Sequence, residues 1–274
     1  MNTGHGQGAT GWGQSLSRSV VENRYVVFLE VILAFLIVWA GAAHWLELTD
    51  VISSPALVGS SLYELLISME WVPHMAETLR RIALGFTLSL LAGTVLGVLM
   101  GVSTFWERVF QDYITIGLSF PSLFVVVFAA MWFGVSDLTP IVTAALTPMF
   151  FVAQSVYQGV NDVDTNLLRM AESFDVPRRR VLWRVVFRSV LPEWFAGARY
   201  GFAGAWKLVT LAEFFAATSG VGFMIREQMN FLSITGVLTW TALFAAVMML
   251  IEYGGFQYVE HRVFDWRQET TIGW

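Results

Sequence analysis

DVDTNLLRMAESFDVPRRRVLWRVVFRSVLPEWFAGAR, residues 162–199, is the long polar interval in an otherwise apolar chain. It is rich in arginine and holds no lysine. Asp164 is a natural N-cap, because its carboxylate can accept from the free amides of the next turn. From Thr165 the pattern turns helical. Leu167, Met170, Ala171 and Phe174 fall on one face at i, i+3, i+4 and i+7. Pro177 predicts the end of this helix, since the residue before proline avoids the α region. The expectation is a helix of roughly ten residues outside the membrane, apolar on one side. A short amphipathic helix of that kind wants a groove on a partner. Arg178-Arg179-Arg180 then suits lipid phosphate or an acidic protein surface.

The rest of the chain is read against a lipid solvent. Hydrophobic residues make up 56% of its 274 residues and charged residues 14%, against about 25% charged in a soluble domain. Too little polar surface remains to cover a globule. There is no cysteine, which excludes disulfides and thiolate metal sites. The net charge is −5, but its placement says more than its sum.

A hydrocarbon core about 30 Å thick needs roughly 20 apolar helical residues. Six spans meet that rule: 25–43, 82–102, 114–134, 138–160, 190–217 and 234–258. Backbone groups in lipid must pair within their own segment, so helices are expected. No alternating short segments suggest a β-barrel. Arginines 18, 24, 108, 169, 178–180, 184, 188, 262 and 267 fall on one side if both termini are cytoplasmic, as the positive-inside rule requires. Arg80 and Arg81 stand at the outer mouth of the second span. Pro121 in the third span predicts a kink or a break. Gly85, Gly93, Gly97 and Gly101 carry small-residue spacing for close helix approach, within one bundle or across a subunit contact.

The predicted organisation is a cytoplasmic tail (1–24), a first transmembrane helix (25–43) and an external segment with a short interfacial helix (44–81). A core of five transmembrane helices follows (82–260), with the coupling loop at 161–189, and then a cytoplasmic tail (261–274). The helix expected in the external segment is 56–68, either a solvated connector or part of a landing surface.

The order Ala171, Ser173, Leu191-Pro192, Ala196-Gly197 and Arg199 resembles the "EAA" loop of permease subunits in binding-protein-dependent ABC importers. The branch serving nitrate and sulfonates such as taurine is the nearest likeness. Supporting motifs run in order through Ser54-Pro55, Gly85-Phe86, Phe120-Pro121-Ser122, Trp132-Phe133-Gly134, Ala205-Trp206, Ala212-Glu213 and Ser219-Gly220-Val221-Gly222. The family's leading Glu falls at Arg169, its loop Gly at Asp175 and its first loop Pro at Arg188. Asp tolerates a left-handed turn better than most residues, so the coupling helix should survive.

The resemblance implies an all-α, polytopic fold of the type I importer permease. It also implies a prokaryotic cytoplasmic (inner) membrane location. Expected partners are ABC ATPase subunits, a second permease copy or homologue, an external solute-binding protein and membrane lipid, with no nucleic acid. Asp164, Leu167, Leu168, Met170, Ala171, Ser173, Phe174 and Arg178 are the expected ATPase-coupling residues. Lys207, Glu213, Phe120 and Ser122 are candidates for the substrate path, and Arg226 with Glu227 for contact with the binding protein. Lys207 is the only lysine and lies too deep to snorkel. It needs either an ion pair or carbonyl from a neighbouring helix, or a role as a fixed positive charge. No cofactor is expected on this chain, because it has no G-x-x-x-x-G-K-[ST] loop; ATP and Mg would sit on the partner ATPase. An ion-coupled carrier or channel acting without an ATPase is the alternative, though three of the six spans hold no charge. The four histidines are scattered, which argues against a membrane-embedded enzyme.

Overall fold

The computed structural model describes residues 24–45 and 53–263. The expected tails at 1–24 and 261–274 lie almost wholly outside them. Among the described residues the secondary structure is helical, with no strand. The chain divides into two compact units, 1–61 and 62–274. In the first, α1 (Arg24–Trp45) is an apolar helix, and the Trp39 indole donates to the Ser53 carbonyl at 3.1 Å. Helix α2 (Pro55–Ser68) begins one residue before the expected start.

The second unit is built on three long helices: α3 (Trp71–Val102), α6 (Leu138–Asn161) and α9 (Phe187–Ala216). Helix α6 packs most extensively against α3 and α9. Small residues decide the α3–α6 approach. A Cβ at Gly97 would stand 2.6 Å from the Ala153 carbonyl oxygen, and one at Gly93 2.7 Å from that of Met149. The glycine stripe is therefore spent within the chain. Helix α3 starts eleven residues before the expected span, at Trp71 rather than 82. Arg80 and Arg81 interrupt the hydropathy pattern without interrupting the helix.

The third expected span is not one straight helix. Helices α4 (Thr104–Ser119) and α5 (Ser122–Phe133) meet at Phe120-Pro121 with a 97° bend. Proline removes a backbone bond at that point, and Pro121 is extended at ψ 119°. The two limbs enclose, with α6, an apolar groove of about 700 Å³ lined by Phe120, Phe128, Trp132 and Phe150.

Beyond α6 come α7 (Thr165–Ser173) and α8 (Arg178–Val181). A π-helical turn, Leu182–Val186, runs into α9. Helix α10 (Val221–Asn230) turns back by 46° from α9. Helix α11 (Ile234–Ile251), a second π-helical turn (Glu252–Phe256) and α12 (Gln257–Val263) close the described chain. Among the described residues, three helices, Trp71–Val102, Leu138–Asn161 and Ile234–Glu260, are long and apolar enough to cross a bilayer; the two bent pairs raise this to five. The first expected span overlaps a shorter apolar helix, Glu30–His44.

Candidate functional site

Helix α7 forms as its sequence predicts. The Asp164 carboxylate accepts from the Asn166 amide at 2.7 Å, which satisfies one free donor of the first turn. The Ser173 hydroxyl donates to the Arg169 carbonyl at 2.9 Å. The helix stops at Ser173 because Asp175 adopts φ 48°. Its short polar side chain makes that left-handed turn tolerable where the family pattern has Gly. The Val176 amide then donates to the Ala171 carbonyl at 3.0 Å, closing the end.

Of the apolar face, Ala171 alone is buried against its own chain. Leu167 and Met170 are open, and Phe174 is 75% exposed. Leu168 is half-buried, and Asp164, Ser173 and Arg178 are exposed. A two-turn helix thus presents three large apolar side chains that its own bundle does not cover. Such a patch, rimmed by polar groups, marks an interaction surface.

The opposite end of the long helices carries a buried polar cluster. Arg81, 2% exposed, meets Glu213, 0% exposed, with Nη1 donating to Oε1 at 2.8 Å. The same nitrogen donates to the Ser219 carbonyl at 2.7 Å, and Nη2 to the Ser219 hydroxyl at 2.8 Å. Arg81 Nε donates to Asp137 Oδ1 at 3.1 Å, and Arg80 pairs with both Asp137 and Glu77. The other Glu213 oxygen accepts from the Thr78 hydroxyl at 2.9 Å and from the Gly222 amide at 3.0 Å. Thr78 in turn accepts from the Val221 amide at 2.8 Å.

This arrangement explains the Ser219-Gly220-Val221-Gly222 run. Gly220 has φ 106°, a conformation open mainly to glycine. A Cβ on Gly220 would fall on the Glu213 carboxylate, and one on Gly222 on the Thr210 carbonyl. The first amides of α10 therefore close over a buried carboxylate. Asp137, at the exposed rim, is held below the usual carboxylate range chiefly by its hydrogen bond from Arg81, with Arg80 assisting.

The candidate path residues do not share one cavity. Glu213 is enclosed and fully hydrogen-bonded, facing no open path in this chain. Phe120 is exposed on the apolar groove, and Ser122 is half-buried at the start of α5. Lys207 is exposed on α9, its Nζ 5.5 Å from the Trp206 ring centroid. Among the described residues, neither the ion pair nor the carbonyl contact allowed for it is found. Arg226 donates to the carbonyls of Phe214 and Ala217, at 3.1 and 3.0 Å, and so ties α10 to the end of α9.

Arg199 has partners the sequence did not reveal. Its Nε donates to Glu252 at 2.6 Å and its Nη1 to Glu260 at 2.9 Å. Arg81, Thr78, Asp137 and Ser219 were likewise absent from the expected site. Their available signals were an arginine pair at the edge of the second span and, far away in sequence, the Ser-Gly-x-Gly run after the fifth. Among the described residues no His/Asp/Glu group is arranged to hold a metal.

Known proteins place this geometry. A family model described as the binding-protein-dependent transport system inner membrane component matches residues 93–265. The taurine transport system permease protein TauC of Escherichia coli is 32% identical over 197 residues, 72% of this chain and 71% of the relative. A putative aliphatic sulfonates transport permease protein, SsuC of Bacillus subtilis, is 27% identical over 79% of this chain and 78% of its own. In fold, a chain of the inward-facing MetNI methionine ABC transporter superposes with TM-score 0.60 at 18% identity, covering 72% of this chain and 98% of that one. The chain belongs to the family of inner-membrane permease components of binding-protein-dependent transport systems.

Proposed function

We propose that this chain is the transmembrane subunit of an ATP-driven importer for a small anionic solute of the sulfonate or nitrate class. The observation that carries the ATP-driven part is the open face of α7, Leu167, Met170 and Phe174, at one end of a bundle that lacks any nucleotide loop. A membrane helix bundle has no use for three bare apolar side chains in water unless a partner covers them. The partner is an ABC ATPase. Its closure on ATP moves α7, and α9, which follows through the π-helical turn, carries the motion into the bundle. Both termini and α7 lie on the cytoplasmic side, and the Arg81–Glu213 cluster lies at the outer side, where an external binding protein delivers the solute. A second permease copy or homologue completes the pathway. The solute class rests on the relatives, whose names specify taurine and aliphatic sulfonates.

The test is coupling. Leu167→Asp or Phe174→Asp, with the permease reconstituted beside its ATPase and binding protein, should leave membrane insertion intact. Solute uptake per ATP hydrolysed should fall by at least tenfold. Normal uptake in both variants removes α7 from the motor interface. Gradient-driven uptake by the permease without any ATPase favours the carrier instead.

A further inference from the structure

We propose that Lys207 is the fixed cation of an anion seat on a water-filled face of α9. The proposal rests on the transport reading above and adds the site at which the solute's charge is met. Depth comes first. Lys207 lies six residues from Glu213 and eight from Arg199, about 9 Å and 12 Å along the helix. Those two residues bracket the apolar stretch of α9 that holds Lys207, one tied to Arg81 and the other to Glu252 and Glu260. Lys207 is therefore near the middle of the membrane, and its stem does not reach either end.

Exposure comes second. Lys207 is open on the chain, and so is Tyr200, seven residues away, within about 20° on the helical wheel. A lysine at this depth turned to lipid is costly, so such residues face protein or a water-filled cavity. Trp206 beneath it is anchored edge-on to Phe244, with centroids 5.6 Å apart. The Lys207 ammonium rests near that ring and leaves its remaining donors free.

The supply of counter-charge comes third. Within the unit 62–274, the described carboxylates of the spans are already used or lie at another depth. Glu213 belongs to Arg81, and Glu252 belongs to Arg199. Glu193 lies nearer the α7 end, beside Gly159, and Glu107 accepts from the Tyr157 hydroxyl at 2.5 Å. Asp112 lies two residues from Ile114, which packs with Ala153, whereas the lysine lies three residues past Gly204, which packs on Pro148. The ammonium is thus left for a mobile anion, and a lysine of this kind raises the local concentration of a sulfonate or nitrate through the field of a low-dielectric cleft.

The absence of native cysteine makes a direct test available that does not need the natural solute. Leu211→Cys, one turn from Lys207, is placed in the permease assembled with its partners in membranes. The thiol is reacted with two water-soluble methanethiosulfonates of similar size, the anionic sulfonatoethyl and the cationic trimethylammonioethyl reagents. The expected result is modification by both, with the anionic reagent favoured roughly tenfold. Lys207→Met should abolish that preference, and Lys207→Arg should keep it. If neither reagent reacts at Leu211→Cys or at a second site, Tyr200→Cys, the face is dry and the proposal is overturned. It is also overturned if Lys207→Met leaves the ratio unchanged, or if the lysine is found paired with a carboxylate of a different permease subunit. Loss of ATP-driven uptake by the unaltered complex would count against the importer reading alone, since the labelling ratio does not depend on turnover.

Discussion

The two ends of the long helices are built on opposite principles. At the Arg81–Glu213 end, charges are buried and matched, and each oxygen of Glu213 has a donor. At the α7 end, apolar side chains stand open, and the flanking Arg178 has no carboxylate partner among the described residues. One end is complete within a single chain, and the other leaves its apolar side chains uncovered. The difference fits a machine that receives force at one end and must transmit it through a stiff frame. A buried ion pair with a donor on each carboxylate oxygen resists deformation, because separating the charges exposes each to a low-dielectric surround.

The comparison can be broken most forcefully at Arg81. Arg81→Met leaves the Glu213 carboxylate buried without its cation, a loss of about 3–5 kcal/mol for a pair of this kind. Far less folded protein should be recovered in detergent, and the thermal midpoint should drop. A variant as stable as the parent would mean that the cluster carries no structural weight. The α7 end should respond differently, since Phe174→Asp removes function without removing stability.

A smaller effect is expected where α7 terminates. Asp175→Val puts a β-branched residue at φ 48° and should cost about 1–2 kcal/mol locally. Proteolysis between α7 and α8 should become faster, while the Arg81 end stays unchanged. Equal protease resistance in the two proteins would remove Asp175 as the turn's determinant.

The smallest effect is expected with acid. The folded state holds the Asp137 carboxyl below its ordinary value. Its contribution is therefore full above the unfolded value, about 3.9, and is lost as the pH falls through the lowered one. The thermal midpoint of the parent should be flat from neutrality to about pH 5 and fall only below about pH 4. Asp137→Asn should flatten part of that acid decline; an identical decline in both would detach Asp137 from the cluster.

The sequence revealed features that rest on neighbours. The spans were legible because lipid demands long apolar runs, and α7 because a 3.6-residue period stands out in a polar interval. The break at Pro121 was legible from its missing amide, and the tolerance of Asp175 from its side chain. The Arg81–Glu213 bond was not, since its partners lie 132 residues apart and no local pattern encodes that meeting. The true start of α3 was hidden for the same reason. Arg80 and Arg81 read as the edge of a span until Asp137 and Glu213 are known to neutralise them. The exposure of Lys207 was equally hidden, because only packing shows which face of α9 the bundle leaves uncovered.

The π-helical turn Glu252–Phe256 has a geometric consequence for Arg199. On a regular α-helix, residues eight apart diverge by about 80°, so Glu252 and Glu260 could not both reach one guanidinium. One extra residue absorbed in a wider turn reduces that angle to about 20°, and both carboxylates meet Arg199. The terminal helix is thereby phased to the helix that follows the coupling segment. A tail borrowed from a relative without that inserted residue would arrive rotated by about a quarter-turn, with one carboxylate on the wrong side.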